Sequence, residues 1–225
     1  MDPKQNAARA ALAHVRSGMT LGLGTGSTAK WFIEFLAAEL KAGRLSGIRG
    51  VPTSTQSDDQ ATSLGIPLVD FSQVEQCDLT VDGADEVAPS LTLIKGLGGA
   101  LLREKIVAQN SKRLIIIADE SKVVQQLGSK SPLPVEIAPF ARPTSERFLR
   151  SLGCTPTLRK RATGQDYVTD NGNLIFDCRF DAIDDAAKLD RDLRSHAGIV
   201  ETGLFVGIAE LAIVGTVDGY RALRR

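Results

Sequence analysis

The chain predicts a doubly wound α/β core with a small α+β unit inserted in it, and three observations carry that expectation. Short apolar runs alternate with stretches of helical periodicity between residues 20 and 118, the order that places parallel strands between helices. The run Leu114-Ile115-Ile116-Ile117-Ala118 is bracketed by charge, as suits a central parallel strand covered on both faces. Around Gly128 the pattern changes: Pro132, Pro134, Pro139 and Pro143 crowd a short interval, and antiparallel signals follow.

Asp2 followed by Pro3 suits an N-cap and a first-turn proline, and Ala7, Ala8, Ala11, Leu12 and Val15 recur at helical spacing until Gly18. Residues 20–23 make a short strand. The turn Gly22-Leu23-Gly24-Thr25-Gly26-Ser27-Thr28 then leads into a helix whose Phe32, Phe35, Leu36 and Leu40 form one apolar face. The alternation continues with a strand at 48–52, a helix at 55–64, strands at 66–69 and 78–81, a helix at 100–109 and the central strand at 114–118. Past Gly128 a helix is expected over 145–152. A hairpin is expected from 167–170 to 173–176, with a type I′ turn at Asn171-Gly172 because both residues tolerate positive φ. A helix over 184–196 completes the small unit, and the runs 203–207 and 211–215 return to the core. Residues 1–130 with 200–225 are thus expected as one domain and 131–199 as a small inserted one. No internal repeat interrupts this order.

With 225 residues, 43% of them apolar, the chain is long enough to bury one large core, with or without a small partner domain. Lys plus Arg and Asp plus Glu both number 27, so no overall field favours nucleic acid or an anionic membrane. A small, polar, soluble partner suits the chain better. Cys77, Cys154 and Cys178 are odd in number and widely spaced, without a C-x-x-C pair, as reduced thiols packed in a cytoplasmic protein would be. No apolar run of signal-peptide length follows the N-terminus and none spans a bilayer. No His/Cys/Asp cluster has metal-ligand spacing, and His14 and His196 lie on predicted helices without partners, so neither metal nor Ser-His-Asp chemistry is expected.

The richest segment runs from residue 81 to 104: V-D-G-A-D-E, then K-G-L-G-G, then R-E-K. Asp82 and Asp85 flank Gly83-Ala84 just past an apolar run, Lys95 opens a glycine loop, and Glu104 stands near the start of a helix. Taken singly, Asp-Gly is turn chemistry, a lone lysine is a solvated charge, and Glu104 between Arg103 and Lys105 is an exposed helix residue. Glu104, however, sits with Leu101 and Ala108 at i−3 and i+4, at the margin of the buried face. Brought together at the carboxyl edge of a sheet, where open α/β folds bind ligands, these residues have the composition of an active site.

The earlier turn, Gly24-x-Gly26-x-x-Ala29, fits the dinucleotide fingerprint only in part. The second strand ends in Pro52-Thr53 where a ribose-binding acid is wanted, and no Gly-Lys-Ser/Thr follows for a Walker loop. A helix N-terminus with free N–H groups and the hydroxyls of Thr25, Ser27 and Thr28 remains, suited to one phosphate. The plain alternative is a capped helix after a tight turn.

Several motifs in one order resemble the ribose-5-phosphate isomerase family of the A type. They are Gly22-Leu-Gly-Thr-Gly-Ser-Thr28, Val51-Pro-Thr-Ser54, Thr80-Val-Asp-Gly-Ala-Asp-Glu86, Lys95-Gly96, residues 101–107, Ile117-Ala-Asp119 with Ser121-Lys122, Pro132-Leu-Pro-Val-Glu136, Thr169-Asp-Asn-Gly172 and Gly203-Leu-Phe205. The resemblance implies a Rossmann-like core, a lid-like small domain, a homo-oligomer (dimer or tetramer) and cofactor-free interconversion of D-ribose 5-phosphate and D-ribulose 5-phosphate. It places the proton-transferring base on Glu104, hydroxyl-binding aspartates on Asp82 and Asp85, and the cationic group on Lys95. Substrate contacts fall on Thr25, Gly26, Ser27, Thr28, Gly83, Ala84, Gly96, Leu97, Gly98 and Lys122. Two residues depart from the family pattern: Leu97 stands where a third glycine is more usual, and Ser131 precedes Pro132 where an aromatic is common.

Such an isomerisation needs one base to move a proton between C2 and C1 and donors to stabilise an enediolate. Two other readings compete: a sugar-phosphate deaminase-like or coenzyme A transferase-like enzyme on a similar core, and a sugar-phosphate sensor that keeps the phosphate turn without the base. Glu104 with Lys95, and the lack of an attached DNA-binding helical module, disfavour the sensor.

Overall fold

Asp2 caps helix α1 (Pro3–Ala11) by accepting the Lys4 N–H at 2.9 Å. The computed structural model describes residues 2–224; Met1 and Arg225, the outermost residues of the expected core domain, lie outside the described residues. The apolar spacing that ran to Val15 is continued by a 3₁₀ turn over Leu12–His14, after which Val15 is extended. Strand β1 (Thr20–Leu23), helix α2 (Ala29–Lys41), strand β2 (Arg49–Pro52), helix α3 (Thr55–Ser63) and strand β3 (Leu79–Asp82) follow. The chain then forms two two-residue strands, β4 (Glu86–Val87) and β5 (Leu93–Ile94), before helix α4 (Leu101–Gln109) and strand β6 (Leu114–Asp119).

The expected strand over 66–69 does not form. Leu68 alone bridges Gly50, because Pro67 has no N–H to give and contributes only its carbonyl, to Gly50 N at 2.8 Å. Beyond Gly128 come β7 (Leu133–Ile137), α5 (Arg142–Ser151), β8 (Thr155–Leu158), β9 (Leu174–Arg179), α6 (Ala186–Arg194), β10 (Ile199–Thr202), β11 (Leu204–Phe205), β12 (Leu211–Thr216) and β13 (Gly219–Arg224). Helix α5 begins earlier than its apolar spacing suggested, because Pro143 sits in its first turn. The hairpin at Asn171-Gly172 is also different. β9 pairs with β7 and β8 rather than with residues 167–170. Gly172 has φ of 80° but Asn171 does not have positive φ, so the turn is not type I′. The physical cause is Glu136: its Oε1 accepts from Thr169 Oγ1 at 2.9 Å and from Asn173 Nδ2 at 2.9 Å, and holds that segment as a loop.

The main sheet has the order β13-β12-β6-β3-β1-β2, parallel throughout except for β13 at its edge. Ile115 and Ile117 of β6 face a core with Phe32, Leu36 and the alanines of α1, while Leu114, Ile116 and Ala118 face the opposite one with Ala108 and Phe205. The strand is buried on both sides, which is why its sequence is continuously apolar. A second, antiparallel sheet, β10-β7-β9-β8, has its own core around Leu133, Val135, Phe176 and Leu193, and a small sheet β11-β5-β4 packs into both cores, Ile94 and Leu204 with the antiparallel sheet and Val87, Leu93 and Phe205 with the main one. Strand order along the main sheet reverses between β1 and β3, so their carboxyl ends splay their connections to opposite sides and leave a crevice. Among the described residues no helix is long and apolar enough to cross a membrane.

Candidate active site

The turn after β1 and the turn after β3 meet at that crevice, and Gly24 is what lets them meet. A Cβ there would stand 2.3 Å from Asp82 Oδ1. Asp82, at the last position of β3, is 1% exposed and takes the N–H groups of Thr25 at 3.0 Å and Gly83 at 2.7 Å on its Oδ1. Its Oδ2 accepts from Lys95 Nζ at 3.0 Å. Asp82 therefore lies beneath the pocket with its oxygens already occupied, and it binds the two glycine turns to each other.

Lys95 reaches the same point from the end of β5. Its ammonium, 2% exposed, contacts Asp82, Glu104 Oε1 at 3.1 Å and the Gly83 carbonyl at 2.5 Å. Burial opposes its charge, but Asp82 and Glu104 outweigh burial and hold the ammonium above the usual lysine range. Phe205 lies under it, 5.4 Å from Nζ, and under Lys105 at 4.7 Å.

Glu104 enters from the first turn of α4, where Leu101 and Ala108 are buried with it, as their spacing required. Burial pushes its carboxyl up to about 8, against the pull of Lys95 and with help from Asp82. Its Oε2 is buried and has no hydrogen-bond partner among the described residues. Asp85 is half-buried; burial raises its carboxyl, while the Leu97 N–H, donated to its Oδ2 at 2.9 Å, works in the other direction.

Lys95, Glu104 and Asp85 line one pocket with Gly83, Ala84, Gly96, Gly98, the turn Thr25-Gly26-Ser27-Thr28 and Lys122; it encloses about 470 Å³ including its open mouth. Leu97 turns its side chain outward and is 38% exposed. It needs no glycine, since the positive-φ positions of the loop are Gly96 and Gly99. At the phosphate-type turn, the N–H groups of Gly26, Ser27 and Thr28 meet no acceptor among the described residues. The Thr25 hydroxyl turns inward to Thr53 Oγ1 and Ser54 Oγ, each at 2.7 Å, so of the three hydroxyls it is a brace for the turn.

Several residues at this site were not singled out from the sequence. Lys4 reaches from α1 to Ser27 Oγ at 3.0 Å. Thr53 and Ser54 carry the brace, and Phe205 carries the lysines; all three lay inside motifs quoted above without a role. Arg103, beside Glu104, donates to Asn171 Oδ1 at 3.0 Å and Asp170 O at 3.1 Å, and Asp170 Oδ2 accepts the Thr55 N–H at 2.8 Å. These distant pairings leave no local signal. Among the described residues no group of three or more His, Cys, Asp or Glu is placed to hold a metal ion.

The sequence profile described as ribose 5-phosphate isomerase A (phosphoriboisomerase A) matches residues 49–219. A ribose-5-phosphate isomerase A of Desulfatibacillum aliphaticivorans is 50% identical over 98% of this chain and 96% of its own length. The one from Deinococcus radiodurans is 50% identical over 99% and 97%. Among solved structures, a D-ribose-5-phosphate isomerase in complex with phospho-erythronic acid superposes with a TM-score of 0.97 at 41% identity, covering 100% of this chain and 98% of that one. Ribose 5-phosphate isomerase A of Methanocaldococcus jannaschii superposes with a TM-score of 0.95 at 38% identity, covering 100% and 99%.

Proposed function

The chain belongs to the ribose 5-phosphate isomerase A family, and from that premise we infer that it interconverts D-ribose 5-phosphate and D-ribulose 5-phosphate by proton transfer through an enediolate. The observation that supports this chemistry most directly is Glu104. One of its oxygens is fixed by Lys95 at 3.1 Å and the other is buried, with no partner among the described residues. A base held so, with a proton affinity near neutrality, suits the transfer of one proton from C2 to C1 and back. Lys95 stabilises the oxygen charge that develops as the proton leaves. Asp85 takes sugar hydroxyls, and Asp82 acts through Lys95 and the Gly24–Thr25 turn.

The phosphate is assigned to the N–H groups of Gly26 to Thr28, the Ser27 hydroxyl, Lys122 and Lys4, a helix N-terminus with two cations beside it. A related structure was solved with phospho-erythronic acid, a molecule that joins a phosphate to a carboxylate resembling the enediolate, and this supports a sugar phosphate as the substrate here. Nothing in the comparisons favours a sensor, a deaminase or a coenzyme A transferase. The main sheet is proposed as the catalytic domain (1–130 with 200–225) and the antiparallel sheet as the lid (131–199), with β10 carrying the latter to Thr202. A cytoplasmic site of action is supported by three buried, unpaired cysteines. A homo-oligomer remains part of the proposal, and sedimentation tests it. Ketose appearance from ribose 5-phosphate with purified protein tests the activity, and absence of turnover would overturn it.

A further inference from the structure

We propose that Arg159 is a positioning residue for the isomerisation: from the antiparallel sheet it sets the Lys95 loop so that the Gly98 N–H faces the reacting end of the sugar. The proposal rests on the isomerase reading above. Arg159 follows β8, and its guanidinium holds two groups at once. Nε donates to Asp177 Oδ2 at 2.9 Å and Nη2 to Asp177 Oδ1. Nη1 donates to Gly96 O at 3.0 Å and to Leu97 O at 3.1 Å. The next carbonyl, Gly98 O, receives the Tyr167 hydroxyl at 3.4 Å, and the Arg159 guanidinium lies 5.7 Å from the Tyr167 ring centre. Three consecutive loop carbonyls are thus drawn toward the antiparallel sheet.

In a planar trans peptide the N–H points opposite to the carbonyl. The N–H groups of Leu97, Gly98 and Gly99 accordingly point away from Arg159 and Tyr167. Leu97 N–H goes to Asp85 at 2.9 Å and Gly99 N–H to Gly96 O at 2.9 Å. The Gly98 N–H meets no acceptor among the described residues, and Gly98 lines the pocket with Lys95 and Glu104. Glycine at 99 permits this packing, because a Cβ there would stand 2.1 Å from the Tyr167 oxygen. A backbone N–H fixed in advance toward developing negative charge stabilises it more than one that must reorient. Arg159 supplies that fixity without touching substrate.

The test compares Arg159→Lys and Tyr167→Phe with wild type in the full chain. It measures kcat and KM for ribose 5-phosphate, and the Kd of phospho-erythronic acid against that of erythritol 4-phosphate, which keeps the phosphate and lacks the charge. A lysine cannot span Asp177 and two carbonyls. Arg159→Lys should therefore lower kcat by about 10–100-fold with little change in KM. It should weaken phospho-erythronic acid by a comparable factor and leave erythritol 4-phosphate alone. Tyr167→Phe should show the same selectivity at roughly 2–5-fold. Unchanged kcat in a folded Arg159→Lys, or equal weakening of both analogues, overturns the proposal. Should Arg159→Lys fail to fold, equal weakening in Tyr167→Phe overturns it. A wild type that does not isomerise ribose 5-phosphate would overturn the isomerase reading itself, a separate outcome.

Discussion

Replacing Glu104 by glutamine removes the proposed base while leaving its surroundings in place. The amide oxygen can keep the Lys95 contact that Glu104 Oε1 makes at 3.1 Å, and Lys95 retains Asp82 at 3.0 Å and the Gly83 carbonyl at 2.5 Å. The ammonium is therefore not left unpaired, and the fold should persist. What disappears is a group able to take a proton at the position of Oε2, now the unpartnered oxygen. A positioned acid–base group contributes about two to four orders of magnitude, equivalent to roughly 3–5 kcal/mol of barrier at 1.36 kcal/mol per decade. Ketose appearance from ribose 5-phosphate should fall by that factor. Calorimetric binding of phospho-erythronic acid should be no weaker than in wild type, since a carboxylate facing the ligand's own carboxylate has become neutral. Turnover within about fivefold of wild type would refute the assignment of the base.

The pH dependence follows from the same group: with Glu104 pushed up to about 8, kcat/KM of the free enzyme should rise with pH to a plateau above that value. An acid limb near the ordinary glutamate range would contradict it. Because the folded protein holds this proton more tightly than the unfolded chain, the stability Glu104 contributes is full below its ordinary value of 4.5 and is lost as pH rises through about 8. Wild type should accordingly lose ground to Glu104→Gln in denaturant titrations across that window. Lys122→Ala should lower kcat/KM for ribose 5-phosphate by roughly one to two orders of magnitude, the value of a charge-assisted contact. It should change almost nothing for unphosphorylated ribose, and equal losses on both would place Lys122 outside the phosphate site. Exhaustive EDTA dialysis should leave turnover intact; activity lost and restored by a divalent ion would make Asp82 and Asp85 ligands.

The parallel core was legible because each of its parts has a local cause. β1 and β6 are short apolar runs and α1 has its Asp2 cap, whereas the strand order that puts the switch between β1 and β3 has no local signal. Glu104 was legible for a similar reason, since helical spacing joined it to Leu101 and Ala108. The antiparallel sheet was harder. Pro132 and Pro134 read as a domain boundary, yet Pro134 lies in β7 between two neighbouring strands, where its missing N–H is tolerated and its carbonyl accepts the Gly203 N–H at 2.8 Å. β4, β5 and β11 are two residues each, too short for any periodicity to show. Lys105 illustrates the remaining limit. It stands in a charged stretch beside Glu104 and received no role from the sequence, yet it is buried on Glu201 Oε1 at 2.8 Å and on the carbonyls of Thr202 and Leu204, each at 2.7 Å. No local pattern announces a partner that distant along the chain.

The grouping of three carboxylates around one buried ammonium has a purpose that neither sign alone would serve. Lys95 with one carboxylate would be a closed pair, with both charges held and no proton to exchange near neutral pH. Here Asp82 already occupies the lysine from below, through Oδ2, and is itself fixed by two backbone N–H groups. Glu104 meets an ammonium that is partly neutralised, in a site that burial makes costly for a further negative charge. Its proton affinity rises toward neutrality while the cation stays charged. In the proposed mechanism the site thus separates two tasks that an isomerase must keep apart: a permanent positive charge to stabilise the intermediate, and one titrating oxygen to carry the proton between neighbouring carbons.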